Sequence, residues 1–319
     1  MPIYLDHAAT TPMRPEIIQV YIESLGLIGN PASIHSHGQQ AKRLLEESRE
    51  HIAASLGADP VEVIFTSGGT EAINLGIKGL FWKRQQDAQR PRLLIPGGEH
   101  HATVDAAVWL ERYQGAVIEW LPVDSAGRLV PSVLEAALAV DPFSVALVSV
   151  IWANNEVGTI QPIAELAAIA VRFGVPMHTD AVAAYGSVPI DFHSTGVAAL
   201  SVSAHKVGGP VGVGALVLAR SADVVPLIHG GAQQRGRAGT QDAAGAVAFA
   251  AAASLAVTEL PACSVSLSAL RDRLIAGIRR AVPEAVLRGD PSLVGRLPGN
   301  AHFTFPGCEG DSLLFLLDV

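Results

Sequence analysis

Five short segments carry residue types that could hold and use a charged small molecule. Ser67-Gly68-Gly69-Thr70-Glu71 follows a β-branched run and precedes a helical pattern. Small residues there let the main chain approach an anion, the first turn of the helix offers free N–H groups, and Thr70 adds a hydroxyl. The segment has neither the lysine of a nucleotide-binding P-loop nor the spacing of a dinucleotide loop. The same residues also suit an ordinary helix start capped by Ser67 or Thr70.

Lys206 lies in Ser203-Ala204-His205-Lys206-Val207-Gly208-Gly209-Pro210, between two apolar runs, and is one of only four lysines, with Lys42, Lys78 and Lys83. A lysine desolvated among small and apolar residues loses part of its preference for the charged form and becomes an amine nucleophile. A lysine at a strand end can equally extend its head to solvent.

Asp180 follows a short apolar run in His178-Thr179-Asp180-Ala181-Val182. A carboxylate at the carboxyl end of a parallel strand points into the crevice where α/β sheets bind ligands, and it can pair with a protonated ring nitrogen. It could also cap the next helix. Glu99-His100-His101 and Asn154-Asn155-Glu156 follow two further runs. Adjacent histidines share no strand or helix face, so they do not make a two-ligand metal site by themselves. One of them could stack on a ring and move protons near neutral pH, or both could face solvent. The asparagines could face the crevice or close an Asx turn. Taken together, the order of these segments describes one crevice holding a phosphate, a ring, a ring-nitrogen partner and an amine.

The elements that must position them are strands over 61–66, 93–96, 117–123, 145–152 and 175–179, alternating with helices over 39–56 and 163–173 that end at Gly57 and Gly174. Strands such as Val145-Ala146-Leu147-Val148-Ser149-Val150 have no polar alternation, which suits a parallel sheet covered on both faces. Strands over 198–203 and 213–218 flank the glycine-rich segment after Lys206. A long helical region spans 241–283, and a last helix starts at 311. A domain change is expected near Leu260-Pro261.

Composition narrows the class. The 319 residues are 49% apolar and 16% charged, against about 25% charged in typical domains, so a large core is expected. Mean hydropathy is +0.34, but the longest low-polarity stretch, 243–257, is shorter than the ~18–20 residues of a membrane span and reads as a buried helix. The start has no basic and apolar signal pattern. Cys263 and Cys308 form neither a disulfide framework nor a metal-ligand spacing. A net charge of −8 without a basic stripe argues against nucleic acid. The expected compartment is the cytoplasm, with no membrane partner.

The chain resembles the cysteine desulfurases, enzymes of the class V aminotransferase fold that feed sulfur to iron–sulfur cluster assembly. The resemblance rests on Tyr4-Leu5-Asp6-His7-Ala8-Ala9-Thr10-Thr11-Pro12, Gly29-Asn30-Pro31-Ala32-Ser33, Phe65-Thr66-Ser67-Gly68-Gly69-Thr70-Glu71, Glu99-His100, Ala153-Asn154-Asn155-Glu156-Val157-Gly158 and Ser203-Ala204-His205-Lys206. It implies an α/β fold of the aspartate aminotransferase-like type. A large, mainly parallel-sheet domain would span 13–259, and a smaller α/β domain would combine 1–12, as a docking strand, with 260–319. It implies pyridoxal phosphate as cofactor, Schiff-base linked to Lys206. His100 would stack on the ring and move protons, and Asp180 would pair with the pyridine nitrogen. Gly69, Thr70, Ser203 and His205 would hold the phosphate, and Asn155 would lie against cofactor and substrate. Thr240 would reach the phosphate of a second subunit, so a homodimer is expected. The substrate implied is L-cysteine, converted to L-alanine, with an iron–sulfur scaffold or another sulfur acceptor as protein partner.

The chain departs from that pattern in three places. Ala183 stands where the family has a glutamine that bonds the cofactor's phenolic oxygen. The segment from His229 to Thr240 is one residue shorter than usual, with Ala232 in place of glycine. The family's catalytic cysteine and a substrate-carboxylate arginine would follow residue 319, so this chain is expected to turn over little cysteine. Two other readings are a lyase for selenocysteine or cysteine sulfinate, and a catalytically silent dimer that binds assembly partners.

Overall fold

Runs rich in valine, leucine and isoleucine pair into strands here because both of their faces can be covered. The computed structural model describes residues 3–231, 233–292 and 294–318. Strands β1 (Val63–Thr66), β2 (Arg92–Pro96), β3 (Val117–Leu121), β4 (Val145–Ile151), β5 (Met177–Asp180), β6 (Ala199–Ser203) and β7 (Gly214–Leu218) form one sheet. Their order is β1-β7-β6-β5-β4-β2-β3. The ladders linking β3, β2, β4, β5 and β6 are parallel, and β7 is antiparallel to both β6 and β1. β1 therefore shares the sense of the parallel strands, and six carboxyl ends lie along one edge of the sheet. Open α/β sheets take their ligands at that edge.

Helices α1 (Pro15–Leu25) and α2 (Ser36–Leu56) come first, and α3 (Gly69–Asn74) runs through a π turn at Leu75–Gly79 into α4 (Leu80–Gln85). They are followed by α5 (His101–Gln114), α6 (Pro131–Val140), α7 (Ile163–Arg172), α8 (Phe192–Thr195), α9 (Ala243–Ala281) and α10 (Gly310–Leu317). One face of the sheet packs on α1, α2, α6, α7, α8 and α9 through residues such as Ile17, Ile52, Leu138, Leu166 and Phe249. The other packs on α3, α4 and α5 through Ile73, Phe81 and Leu110. Alternation along β2 shows the division, with Leu94 on the first face and Leu93 and Ile95 on the second.

Several boundaries differ from the expected ones for local reasons. The run over 61–66 pairs only from Val63, because Pro60–Glu62 forms a 3-10 turn closed by the Asp59 N–H on Glu62 Oε2 at 2.9 Å. α2 begins at Ser36 rather than 39, with the His35 ring accepting from the Gly38 N–H. Gly57 ends it in the left-handed region, at φ 63°. The strands expected over 117–123 and 175–179 are Val117–Leu121 and Met177–Asp180.

The position expected for a domain change, Leu260-Pro261, falls inside the 39-residue helix α9. A proline removes one intrahelical bond, but the helix is held on both sides of it. Ala246, Phe249 and Ala253 are buried where α9 meets α1 and α2, and Arg271 is buried further along with a bond to the Leu297 carbonyl. Among the described residues α9 is also the one helix long and apolar enough to cross a membrane. Residues 260–319 hold the rest of α9, a separate two-stranded sheet of β8 (Val286–Leu287) and β9 (Phe303–Thr304), and α10. Residues 3–12 form turns rather than the expected strand. They are tied to the segment carrying the lysine, through Thr11 N–H on the His205 carbonyl and Gly208 N–H on Thr11 Oγ1.

A polar row crosses the sheet one step below the ligand edge. His178 is fully buried, with Ser149 Oγ and Ser201 Oγ each 2.9 Å from a ring nitrogen. Burial holds its pKa down at about 3, so the ring is a neutral strut between β4, β5 and β6. A Cβ on Gly76 would meet its Cδ2 at 2.7 Å, so the π turn closes directly over it. Replacing His178 with alanine strands two buried hydroxyls and opens a cavity, and a loss of roughly 3–5 kcal/mol is expected, read as a lower urea midpoint. In the native chain this ring's contribution is present above about pH 6.5 and is lost as pH falls below it, because only the unfolded chain takes up the proton there.

Candidate active site

The loop after β1 is built for an anion. Gly68 takes φ 149° and is the N-cap residue of α3, with no side-chain capping bond. Ser67 and Thr70 therefore do not cap this helix. The Ser67 N–H is taken by Glu71 Oε2 at 2.7 Å, and Glu71 is held from behind by Arg237, Nε to Oε1 2.9 Å. These bonds stiffen the turn while the first N–H groups of α3 keep no intrahelical acceptor. A Cβ on Gly69 would come within 2.7 Å of Val182 Cγ2, so only glycine leaves this approach open.

That loop borders a cleft of about 480 Å³ at the carboxyl edge of the sheet. Gly69, Thr70, His100, Asn155, Asp180, His205 and Lys206 line it, so seven of the nine expected site residues converge. Ser203, the last residue of β6, is fully buried behind Gly69 rather than on the cleft wall. Thr240 is not among the lining residues. Ala232 lies outside the described residues.

Lys206 is half-buried, in a 3-10 turn after β6. Its Nζ donates to the Ala8 carbonyl and, at 2.8 Å, to that of Ala9. Its pKa is lowered, chiefly by burial, while the charges of Asp180 and Asp6 oppose the shift. The amine is therefore turned inward, and its head is not extended into bulk solvent.

Asp180 is 2% exposed, and its one side-chain donor among the described residues is the Val182 N–H at 2.9 Å. Burial pushes its pKa up to about 6, against the Val182 N–H and the charge of Lys206. A sealed carboxylate with so few donors is the kind of group a cationic ring nitrogen would complete.

His100 caps α5 by accepting the Ala102 N–H on Nδ1 at 3.1 Å. In the neutral ring the proton is then assigned to Nε2. Its pKa is lowered by burial first, then by Lys206 and His101. Asn154 closes an Asx turn, with Oδ1 accepting from the N–H groups of Glu156 and Val157, while Asn155 reaches the cleft. His205 Nδ1 is 3.1 Å from Thr10 Oγ1.

Asp6, Ala8 and Ala9 close the cleft over Lys206, and Ile73, Ile151 and Val182 form its apolar wall, although residue type and spacing gave none of them a role. The only signal was the motif around Asp6. A cluster of Asp59, Glu62 and His193, with ligand atoms within 4.8 Å of one another, was also not visible as spacing. Its members are satisfied internally, because Arg220 pairs with Asp59 at 2.7 Å and His193 Nε2 meets Glu62 at 2.8 Å. Cys263 is half-buried on α9 and Cys308 is exposed before α10, and neither lines the cleft.

The aminotransferase class-V family profile matches residues 3–319. This chain belongs to that family. An IscS-like cysteine desulfurase of Mycobacterium tuberculosis is 51% identical over 320 residues, spanning 99% of this chain and 80% of the relative. A cysteine desulfurase IscS of Dictyoglomus turgidum is 41% identical, over 99% of this chain and 79% of its own length. Among solved structures, a NifS-like protein superposes with a TM-score of 0.91 at 34% identity, covering 99% of this chain and 85% of that one. Class-V aminotransferases and cysteine desulfurases depend on pyridoxal phosphate, and the cleft fits such a group. Its volume lies in the ordinary ligand range, Gly69 leaves room for a close main-chain approach, and Asp180 supplies the sealed carboxylate.

Proposed function

We propose that this chain is a pyridoxal-phosphate-dependent cysteine desulfurase that converts L-cysteine to L-alanine and passes sulfur on as a persulfide for iron–sulfur cluster assembly. What carries the reading is the meeting of a desolvated amine, Lys206, and a sealed carboxylate, Asp180, in one cleft with the Gly69-Thr70 turn and His100. The relatives' names support the choice of substrate.

Gly69, Thr70 and His205 are assigned to the phosphate, with Ser203 packed behind Gly69 as support for that turn, Asp180 to the ring nitrogen, and Lys206 to the aldehyde carbon. Thr240 is assigned to the phosphate bound in the second subunit of a homodimer. Bound pyridoxal phosphate supplies an electron sink for the charge left on the substrate's α-carbon. Lys206 Nζ takes and returns the proton at that carbon, since its lowered pKa leaves more free amine at neutral pH. His100 Nε2 carries a proton toward the substrate side, its other nitrogen being occupied by Ala102. Asn155 orients the substrate, and the strap of Ala8 and Ala9 limits water at the amine. The cytoplasm and an iron–sulfur scaffold or other acceptor protein complete the proposal.

Persulfide formation needs a thiolate that attacks the substrate sulfur as the carbon–sulfur bond breaks and its electrons remain on carbon. Neither Cys263 nor Cys308 lines the cleft, so neither is proposed as that thiolate. Changing both Cys263 and Cys308 to serine is accordingly expected to alter sulfide release by no more than about twofold. A marked loss would assign one of them to catalysis.

A second reading is a lyase on selenocysteine or cysteine sulfinate, which needs no protein thiolate at the cleft, where neither Cys263 nor Cys308 lies. Parallel assays of alanine, sulfide, selenide and sulfite release separate the two. The cofactor assignment itself is tested by the visible spectrum with added pyridoxal phosphate, before and after borohydride. A chain that stays colourless contradicts it.

A further inference from the structure

Glu99 is a buried acid that the proposed chemistry does not use. It follows β2 and immediately precedes His100, and it is not among the residues lining the cleft. Its Oε1 accepts the N–H of Ile151 at 2.6 Å. Ile151 ends β4 in direct register with Asp180 on β5, so this bond grips the strand end beside the cleft floor. The residue as a whole is partly exposed, but Oε2 is sealed from solvent and has no hydrogen-bond partner among the described residues. The fully buried Thr103 hydroxyl, one turn into α5, is also without one.

We propose that Glu99 is a positioning residue: by holding the Ile151 N–H, its carboxyl fixes His100 over the cleft and the end of β4 against Asp180. It does so as the neutral acid. Among the described residues no cation touches the sealed oxygen, and a bare carboxylate there would be buried with only neutral donors, the Ile151 N–H and the nearby Thr103 hydroxyl. The groups facing it are the Ile151 N–H from β4, the Thr103 hydroxyl from α5 and the charge of Asp180 from β5. Burial is the main cause that drives its pKa well up, and Asp180 adds to it, while the Ile151 N–H and Thr103 pull the other way. A neutral Glu99 leaves Asp180 as the anion of the cleft floor. It also gives His100 no negative neighbour at its own backbone, in keeping with the lowered pKa of that ring.

The position of His100 can be tested without cofactor. The effect on cofactor affinity rests on the function proposed above. The imidazole of His100, assigned with His100→Gln, is titrated by NMR in the cofactor-free chain and in Glu99→Gln and Glu99→Ala, and pyridoxal phosphate affinity is measured in each. Glu99→Gln keeps the bond to Ile151 and the charge state, so it should leave the His100 titration in place and affinity within about twofold. Glu99→Ala releases the turn, so the His100 titration should move up toward its ordinary value and affinity should fall roughly tenfold. If Glu99→Ala does not fold, Glu99→Asp, which withdraws the acid from Ile151, carries the same expectation.

A His100 titration pushed lower still by Glu99→Gln would mean that a negative charge had been removed, which overturns the neutral acid. A Glu99→Ala chain with the native titration and affinity overturns the positioning role. Failure of the native chain to bind pyridoxal phosphate would defeat the function reading instead, leaving the His100 titration to decide this one.

Discussion

Lys206→Ala is expected to lower alanine formation from cysteine by at least roughly 10³-fold, since one group is asked both to hold the cofactor and to move the proton at the substrate carbon. The same variant should retain no colour after borohydride treatment and dialysis. Its fold should survive. The lysine is half-buried and its main contacts are two carbonyls of the strap, so a stability change of about 1 kcal/mol is expected. Lys78→Ala and Lys83→Ala serve as controls, because Lys78 lies over the Trp109 ring and Lys83 pairs with Asp223, both away from the cleft. Covalent colour surviving in Lys206→Ala but not in one of those controls would move the amine elsewhere.

Asp180→Asn should separate stability from function. The carboxyl is 2% exposed and its pKa is raised from 3.8 to about 6. The folded chain thus binds this proton more tightly than the unfolded chain. The stability it contributes is fully present below about pH 4, is lost as pH rises through about 6, and stays lost above that. The raised pKa corresponds to about 3 kcal/mol in the cofactor-free protein. Asparagine cannot ionise, so Asp180→Asn should be more stable than the native chain by up to about 3 kcal/mol at pH 7.5 and nearly equal to it at pH 4. Urea unfolding at both pH values reads the difference. Turnover should fall by roughly 10²–10⁴-fold, because the charge proposed to face the ring nitrogen would be gone. A variant less stable than the native chain at pH 7.5 would show that the ionised carboxylate is already satisfied without a ligand.

Much of the fold could be read from period alone. The strand positions were correct to within a residue or two, because stretches such as Val145–Ile151 are apolar on both faces and only a sheet covered twice can bury them. Ends were harder. α2 starts early because a histidine ring caps it, and the run after Asp59 starts late because a proline opens a 3-10 turn. The helical region read over 241–283 is a single helix, α9, although Pro261 lies inside it. A single proline removes one bond, while burial on both sides of it supplies many contacts.

The site was legible as an order of motifs and illegible as a set of environments. Ser67 and Thr70 had the right chemistry for caps, but the main-chain path through Gly68 left Thr70 free for the cleft. Of the two asparagines, one closes the turn and the other faces the cleft, and nothing in their spacing said which.

What the sequence determined by itself was therefore the kinds of groups and the strand ends that carry them, since period, glycine placement and strand length are local properties. Whether the Lys206 amine turns inward or extends into solvent was decided only by tertiary structure. The carbonyls that receive its amine come from Ala8 and Ala9, nearly two hundred residues earlier in the chain. The state of Asp180 was decided the same way, by strands on both sides that remove it from water. Charge depends on solvent and neighbours, and those belong to the folded chain as a whole.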